Sequence, residues 1–136
     1  MTGTVGYFDN IFGFDALCSD ITNLDEDIEL VAVLNQKGRA IEMKAREEGI
    51  DKDLTPQKRE MFFMQCVLQT LMNRDHDDEC GKVKSSILER ERFTIFLFEF
   101  FNYVILTVSR PILNPMHLKN SISEKIANIK KVELAQ

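Results

Sequence analysis

The chain has 136 residues, 44% of them hydrophobic and 29% charged, which suits one folded domain with its own core and excludes a disordered or low-complexity chain. Its 17 basic and 22 acidic side chains leave a net charge of -5, whereas a protein that binds nucleic acid by neutralising phosphates needs a basic excess or stripe. The three cysteines, Cys18, Cys66 and Cys80, lack the number and spacing of a disulfide framework and fit a reducing, cytoplasmic setting.

Residues 1–13 read as an apolar N-terminal extension, in which Tyr7, Phe8, Ile11 and Phe12 are interrupted by Gly6 and Gly13. The opening MTGTVGYFDN has neither the basic start nor the apolar run of a secretory signal. From Phe14 the stripe Phe14, Leu17, Ile21, Leu24 predicts an amphipathic helix over about 14–24. The run Glu29 to Leu34, the turn cluster Asn35 to Gly38 and the segment Arg39 to Met43 then predict a β-hairpin, with Gly38 supplying a positive φ. Its first strand is apolar on both faces and belongs inside a sheet, while the second alternates and belongs at an edge. A charged connection, Lys44 to Asp53, follows.

Thr55 is a good N-cap and Pro56 suits the first helical position, so a helix starts there and runs to about Arg74. Its apolar residues, from Met61 through Phe62, Phe63 and Met64 to Leu71 and Met72, cover more than the one stripe that packing on a sheet requires. Either the helix is deeply buried or a second face meets a partner. After an acidic loop, Lys82 to Leu88 alternates as a half-exposed strand, and Phe93 to Phe98 and Tyr103 to Ser109 form two more around a tip, Glu99 to Asn102. Asn114 and Pro115 open a last helix with the stripe Leu118, Ile122, Ile126, Ile129, and residues 133–136 are set apart as a tail.

The fold class is therefore α+β: a five-stranded antiparallel sheet with helices packed on it, in the order α-β-β-α-β-β-β-α, as one domain over residues 14–132. The apolar stretch Phe93 to Val108 is short of the roughly 20 residues of a spanning helix, and its Phe, Ile, Val, Thr and Tyr content favours strands, so no membrane contact is expected.

No catalytic motif is present. The six glycines are scattered among turns rather than gathered into a phosphate-binding loop, and no nucleophile elbow or paired-histidine helix motif occurs. The cluster Asp75 to Cys80 begins like a calcium loop, but Cys80 and Ser86 stand where a glycine and a glutamate are needed, and it lacks zinc-ligand spacing. No metal, no cofactor and no catalytic residue is therefore expected.

The segments CSDITNLDEDIELVAVLNQKGRAIE at 18–42, TPQKREMFFMQCVLQTLMNR at 55–74 and GKVKSSILERERFTIFLF at 81–98 together resemble the roadblock type of profilin-like domain. Within that type the chain is most similar to an uncharacterised group of small archaeal proteins of the same layout. The resemblance implies a non-enzymatic domain that dimerises through the middle helix and the next strand, as a homodimer or with a paralogue, and that acts as a platform or regulator for a small GTPase or other signalling partner. It places the dimer interface at Phe62, Phe63, Met64, Val67, Leu71, Val83 and Ile87. The aromatic tip offers Phe100 and Phe101 as a partner surface. The alternative is a small-molecule sensor built like a PAS domain, with a pocket between sheet and helices; Phe96, Phe98, Val104, Leu106 and Val108 are of a size to fill that space.

Overall fold

Helix α1, Phe14–Thr22, turns Phe14, Leu17, Cys18 and Ile21 inward at helical spacing, and all four are buried. The computed structural model describes residues 13–135, and the N-terminal extension up to residue 12 lies outside that range. Strand β1, Ile28–Leu34, is buried along its whole length because both faces of the sheet are covered. Glu29 is its one charged residue. The Glu29 carboxylate accepts the N–H of Ile50 at 2.7 Å and so opens a short helix α2, Ile50–Asp53, within the stretch expected as a charged connection.

Strand β2, Ala40–Ala45, pairs antiparallel with β1 and forms one edge, with an irregularity beside Val33 and Leu34 that admits Ile41 as an extra residue. The turn between them requires glycine: Gly38 has φ 77°, and a Cβ there would stand 2.9 Å from the Cα of Met64.

Helix α3, Pro56–Asn73, is capped by Thr55, whose hydroxyl accepts the Lys58 N–H at 3.2 Å. The acidic segment beyond it is not an open loop. It continues as a 3-10 turn, Arg74–His76, and a single α-turn, α4, Asp77–Cys80.

Strand β3 is Ser86–Glu89, shorter than the alternation of residues 82–88 predicts. Alternation describes which way side chains point, but a strand needs a partner, and the ladder to its neighbour begins only at Ser86 opposite Leu97. Strands β4, Thr94–Phe100, and β5, Tyr103–Ser109, form a hairpin closed by Phe101 and Asn102 alone. Phe101 sits at φ 52°, the left-handed conformation such a tight turn demands of its first residue. Asn114 then accepts the His117 N–H at 3.1 Å and opens helix α5, Pro115–Ala135, so residues 133–135 continue this helix rather than forming a tail.

The strand order is β2-β1-β5-β4-β3, antiparallel throughout. Alternation divides the core between the two faces. On one face Val31, Val33, Phe96, Phe98, Phe100 and Ile105 meet α1 and the Leu118, Ile122, Ile126 stripe of α5. On the other, Leu30, Ala32, Leu34, Ile95, Leu97, Val104, Leu106 and Val108 meet Phe63, Cys66 and Val67 of α3. Among the described residues, α1 and α5 therefore lie on one face and α3 on the other. Among the described residues, no helix is long and apolar enough to cross a membrane.

Candidate interaction surface

The phase of α3 decides what this protein can offer a partner. Phe63, Cys66, Val67 and Thr70 recur at three and four residues and are all buried against the sheet. Residues half a turn away must then point to solvent, and Met61, Leu68 and Met72 are 61%, 47% and 64% exposed. A helix side chain that large and apolar gains nothing from water, and three on one face form a patch rather than scattered exposure.

The patch borders an open sheet edge. β3 pairs with β4 on one side only among the described residues, leaving its outer backbone groups available to another strand. Leu88, on β3 opposite Ile95, is 52% exposed on the same side of the sheet as α3. Between helix and edge lies a groove of about 660 Å³, bordered by Phe62, Leu68 and Met72 of α3 and by Ile87 and Leu88 of β3. Arg74 fixes the far end of α3 to β4 through its ion pair with Glu99 at 2.8 Å.

The residues expected as an interface are thus divided by the fold. Phe62 borders the groove, and so does Ile87, whose side chain, opposite Phe96, packs on the other face of the sheet. Phe63 and Val67 are core residues, 4% and 1% exposed, and belong to the inward stripe instead. Leu71 is half-buried against the same core, and Met64 lies on the opposite flank of α3, beside the β1–β2 turn. Val83 falls outside β3, in the segment after Gly81. Met61, Leu68, Met72 and Leu88 were missed, although the signal was in the sequence: once Phe63 and Val67 are set inward, helical spacing puts 61, 68 and 72 outward.

The hairpin tip is corrected in the same way. Phe100 is fully buried, because as the partner of Tyr103 it falls on the face that carries Phe96 and Phe98, and its ring meets Phe14 edge-on at 5.8 Å. Phe101 remains 47% exposed, with its ring edge-on to Phe100 at 4.9 Å.

The thiols are of two kinds. Burial pushes the Cys66 thiol up to about 12, and burial, with Glu42 and Asp15 nearby and partly offset by Lys44, pushes Cys18 up to about 12, so both stay protonated. Cys80 is exposed.

No protein-family profile matches the chain, and no curated protein is similar to it. Solved structures are. A roadblock/LC7 domain from Streptomyces avermitilis superposes with a TM-score of 0.67 at 10% identity, over 88% of this chain and 97% of that one. The gliding protein MglB of Thermus thermophilus gives 0.64 at 11% identity, over 85% and 87%. MglC of Myxococcus xanthus gives 0.60 at 10%, over 87% and 97%. At such identities the likeness is one of backbone architecture, and it spans nearly the whole of each chain. The five-stranded antiparallel sheet with two helices on one face and one on the other is the roadblock/LC7 fold.

Proposed function

We propose that this protein is a non-enzymatic, cytoplasmic protein–protein interaction module. It dimerises through α3 and β3, with a second copy or a paralogue, and serves as a platform or regulator for a small GTPase or another signalling protein. The observation that carries this reading is the exposure of Leu68, Met72 and Leu88 beside the edge of β3, which is unpaired among the described residues. Two such edges brought together antiparallel would satisfy each other's backbone groups and cover both apolar patches at once. The partner role comes from the roadblock type that the sequence resembles, as does the kinship with small archaeal proteins of this layout. A sensor pocket finds less support. The layer expected to hold it is filled by Phe14, Phe96 and Phe100, all fully buried, and the groove lies outside the core at the flank of α3.

Hydrogen exchange tests the reading at the backbone. Amides of β3 that face away from β4 become slower to exchange as protein concentration rises through the dimerisation range, while those of β2 do not change. Equal exchange of β3 at all concentrations, in a protein that self-associates, would place the interface elsewhere.

A further inference from the structure

A second cleft, of about 710 Å³, lies on the other flank of α3, between the β1–β2 turn and the first turns of the helix. Its chemistry differs from that of the apolar groove. Lys37 and Arg39 stand on its rim from the turn, Arg59 and Glu60 from the helix, and Met61 and Met64 form its apolar lining. Arg59 is already answered by Asp51, whose two carboxylate oxygens accept from it at 2.9 and 3.2 Å. Lys37 and Arg39 are exposed and, among the described residues, take part in no ion pair.

The two cations are carried on a fixed frame. The Asn35 side chain accepts the N–H of Lys37 at 2.9 Å and of Arg39 at 3.1 Å, and the Asn35 N–H donates to the Arg39 carbonyl at 2.9 Å. Gly38 between them rests against the backbone of Met64, which locks the turn onto α3. A turn held at that many points presents its charges without first having to order its backbone, and preorganisation of this kind lowers the cost of binding. Met61 is 61% exposed, and a thioether adapts its shape to what lies on it.

We propose that this cleft binds a short acidic segment of another protein, with carboxylates meeting Lys37 and Arg39 and one apolar side chain lying on Met61 and Met64. Charge selects the occupant. In a chain of net charge -5, three of the four charged residues lining the cleft are basic. A basic segment would meet like charge at the turn, and an uncharged one would leave both cations unanswered. Glu60 on the helix side steers the carboxylates toward the turn. The cleft lies at the start of α3 and the groove further along it; Met61 shares a helix face with Leu68 and Met72, but Lys37 and Arg39 stand outside the groove, so this inference does not depend on dimerisation.

The test uses the full chain, isotopically labelled, and two synthetic peptides of identical length: one of glutamate and aspartate with two leucines, the other with lysine in place of each acid. The acidic peptide shifts the amide resonances of Lys37, Gly38, Arg39 and Met61. Its binding weakens about tenfold or more in the Lys37→Glu/Arg39→Glu double variant and in 1 M salt, where the Debye length is only about 3 Å. Met61→Glu, which leaves the turn untouched, weakens it as well. Leu68→Glu, on the dimer groove, does not, so a failure of the dimer reading and a failure of this one are told apart. Equal binding of the two peptides, shifts confined to other surfaces, or acidic-peptide binding that survives the double reversal would overturn the proposal.

Discussion

Replacing Phe63 by alanine asks directly which face of α3 meets the sheet. Phe63 is 4% exposed and packs with Leu30, Leu106 and Val108 in the core beneath the helix. Truncating a phenylalanine in such a place removes its transfer energy and leaves a cavity, at a cost of about 3–5 kcal/mol. With an unfolding entropy of about 2.1 cal/mol/K per residue, a chain of 136 residues has roughly 0.3 kcal/mol/K, so the melting temperature should fall by about 10–17 °C. The matched control is Leu68→Ala one face round the helix, where a 47% exposed side chain leaves little cavity and the expected loss is under about 1 kcal/mol. Both are read by thermal and urea unfolding followed by circular dichroism at a fixed protein concentration, since association itself adds apparent stability. If Phe63→Ala cost less than about 1 kcal/mol while Leu68→Ala cost more than about 3, the helix would be rotated and the reasoning about its faces wrong. For the same reason Phe63→Glu is expected to unfold the domain rather than to separate two folded subunits.

Three further outcomes follow from the packing. Arg46 donates to the carbonyls of Ile28, Thr22 and Asp25, holding the end of α1 to the start of β1, so Arg46→Ala should cost about 1–3 kcal/mol in urea unfolding with the slope unchanged. The Thr107 hydroxyl is fully buried in the core and, among the described residues, has no hydrogen-bond partner, so Thr107→Val, of nearly the same shape, should raise stability by about 1 kcal/mol; a loss instead would reveal a bond to that hydroxyl. Burial holds Cys18 and Cys66 at about 12 against an ordinary 9.0, so the folded chain keeps protons that the unfolded chain releases above pH 9. Stability should therefore fall as pH rises from about 9 toward 12, be unaffected by the titration of these thiols below that window, and show a smaller fall in Cys66→Ala. A mass-spectrometric count after alkylation at neutral pH should find Cys80 modified alone.

The fold was legible in the sequence wherever side-chain periodicity and chain chemistry agreed. The Thr55-Pro56 start of α3, the Gly38 turn and the wholly apolar β1 each announce themselves through one physical requirement, and each stands where it was expected. The extent of β3 was not legible, because pairing depends on where the partner strand lies and not on the alternation of residues 82–88 alone. Nor was α2, whose first N–H is met by Glu29, 21 residues earlier in the chain. At the candidate site, the excess of apolar residues on α3 correctly marked a helix with two apolar faces. Assigning Phe63 and Val67 to the outer face failed because both faces are apolar, and only the position of the sheet tells them apart. Phe100 and Phe101 are adjacent and chemically identical, yet strand alternation buries the first while the turn leaves the second exposed.

The central claim, that Leu68, Met72, Leu88 and the edge of β3 form a surface for a second subunit, is tested most directly by solution mass. Light scattering on a sizing column would be run on the wild-type chain beside Leu68→Glu, with circular dichroism confirming that the variant is folded. A wild-type mass of about twice 15.7 kDa, reduced to about 15.7 kDa in a folded Leu68→Glu protein, is the predicted result. A wild-type monomer at high concentration, or a dimer that Leu68→Glu leaves intact, would contradict it.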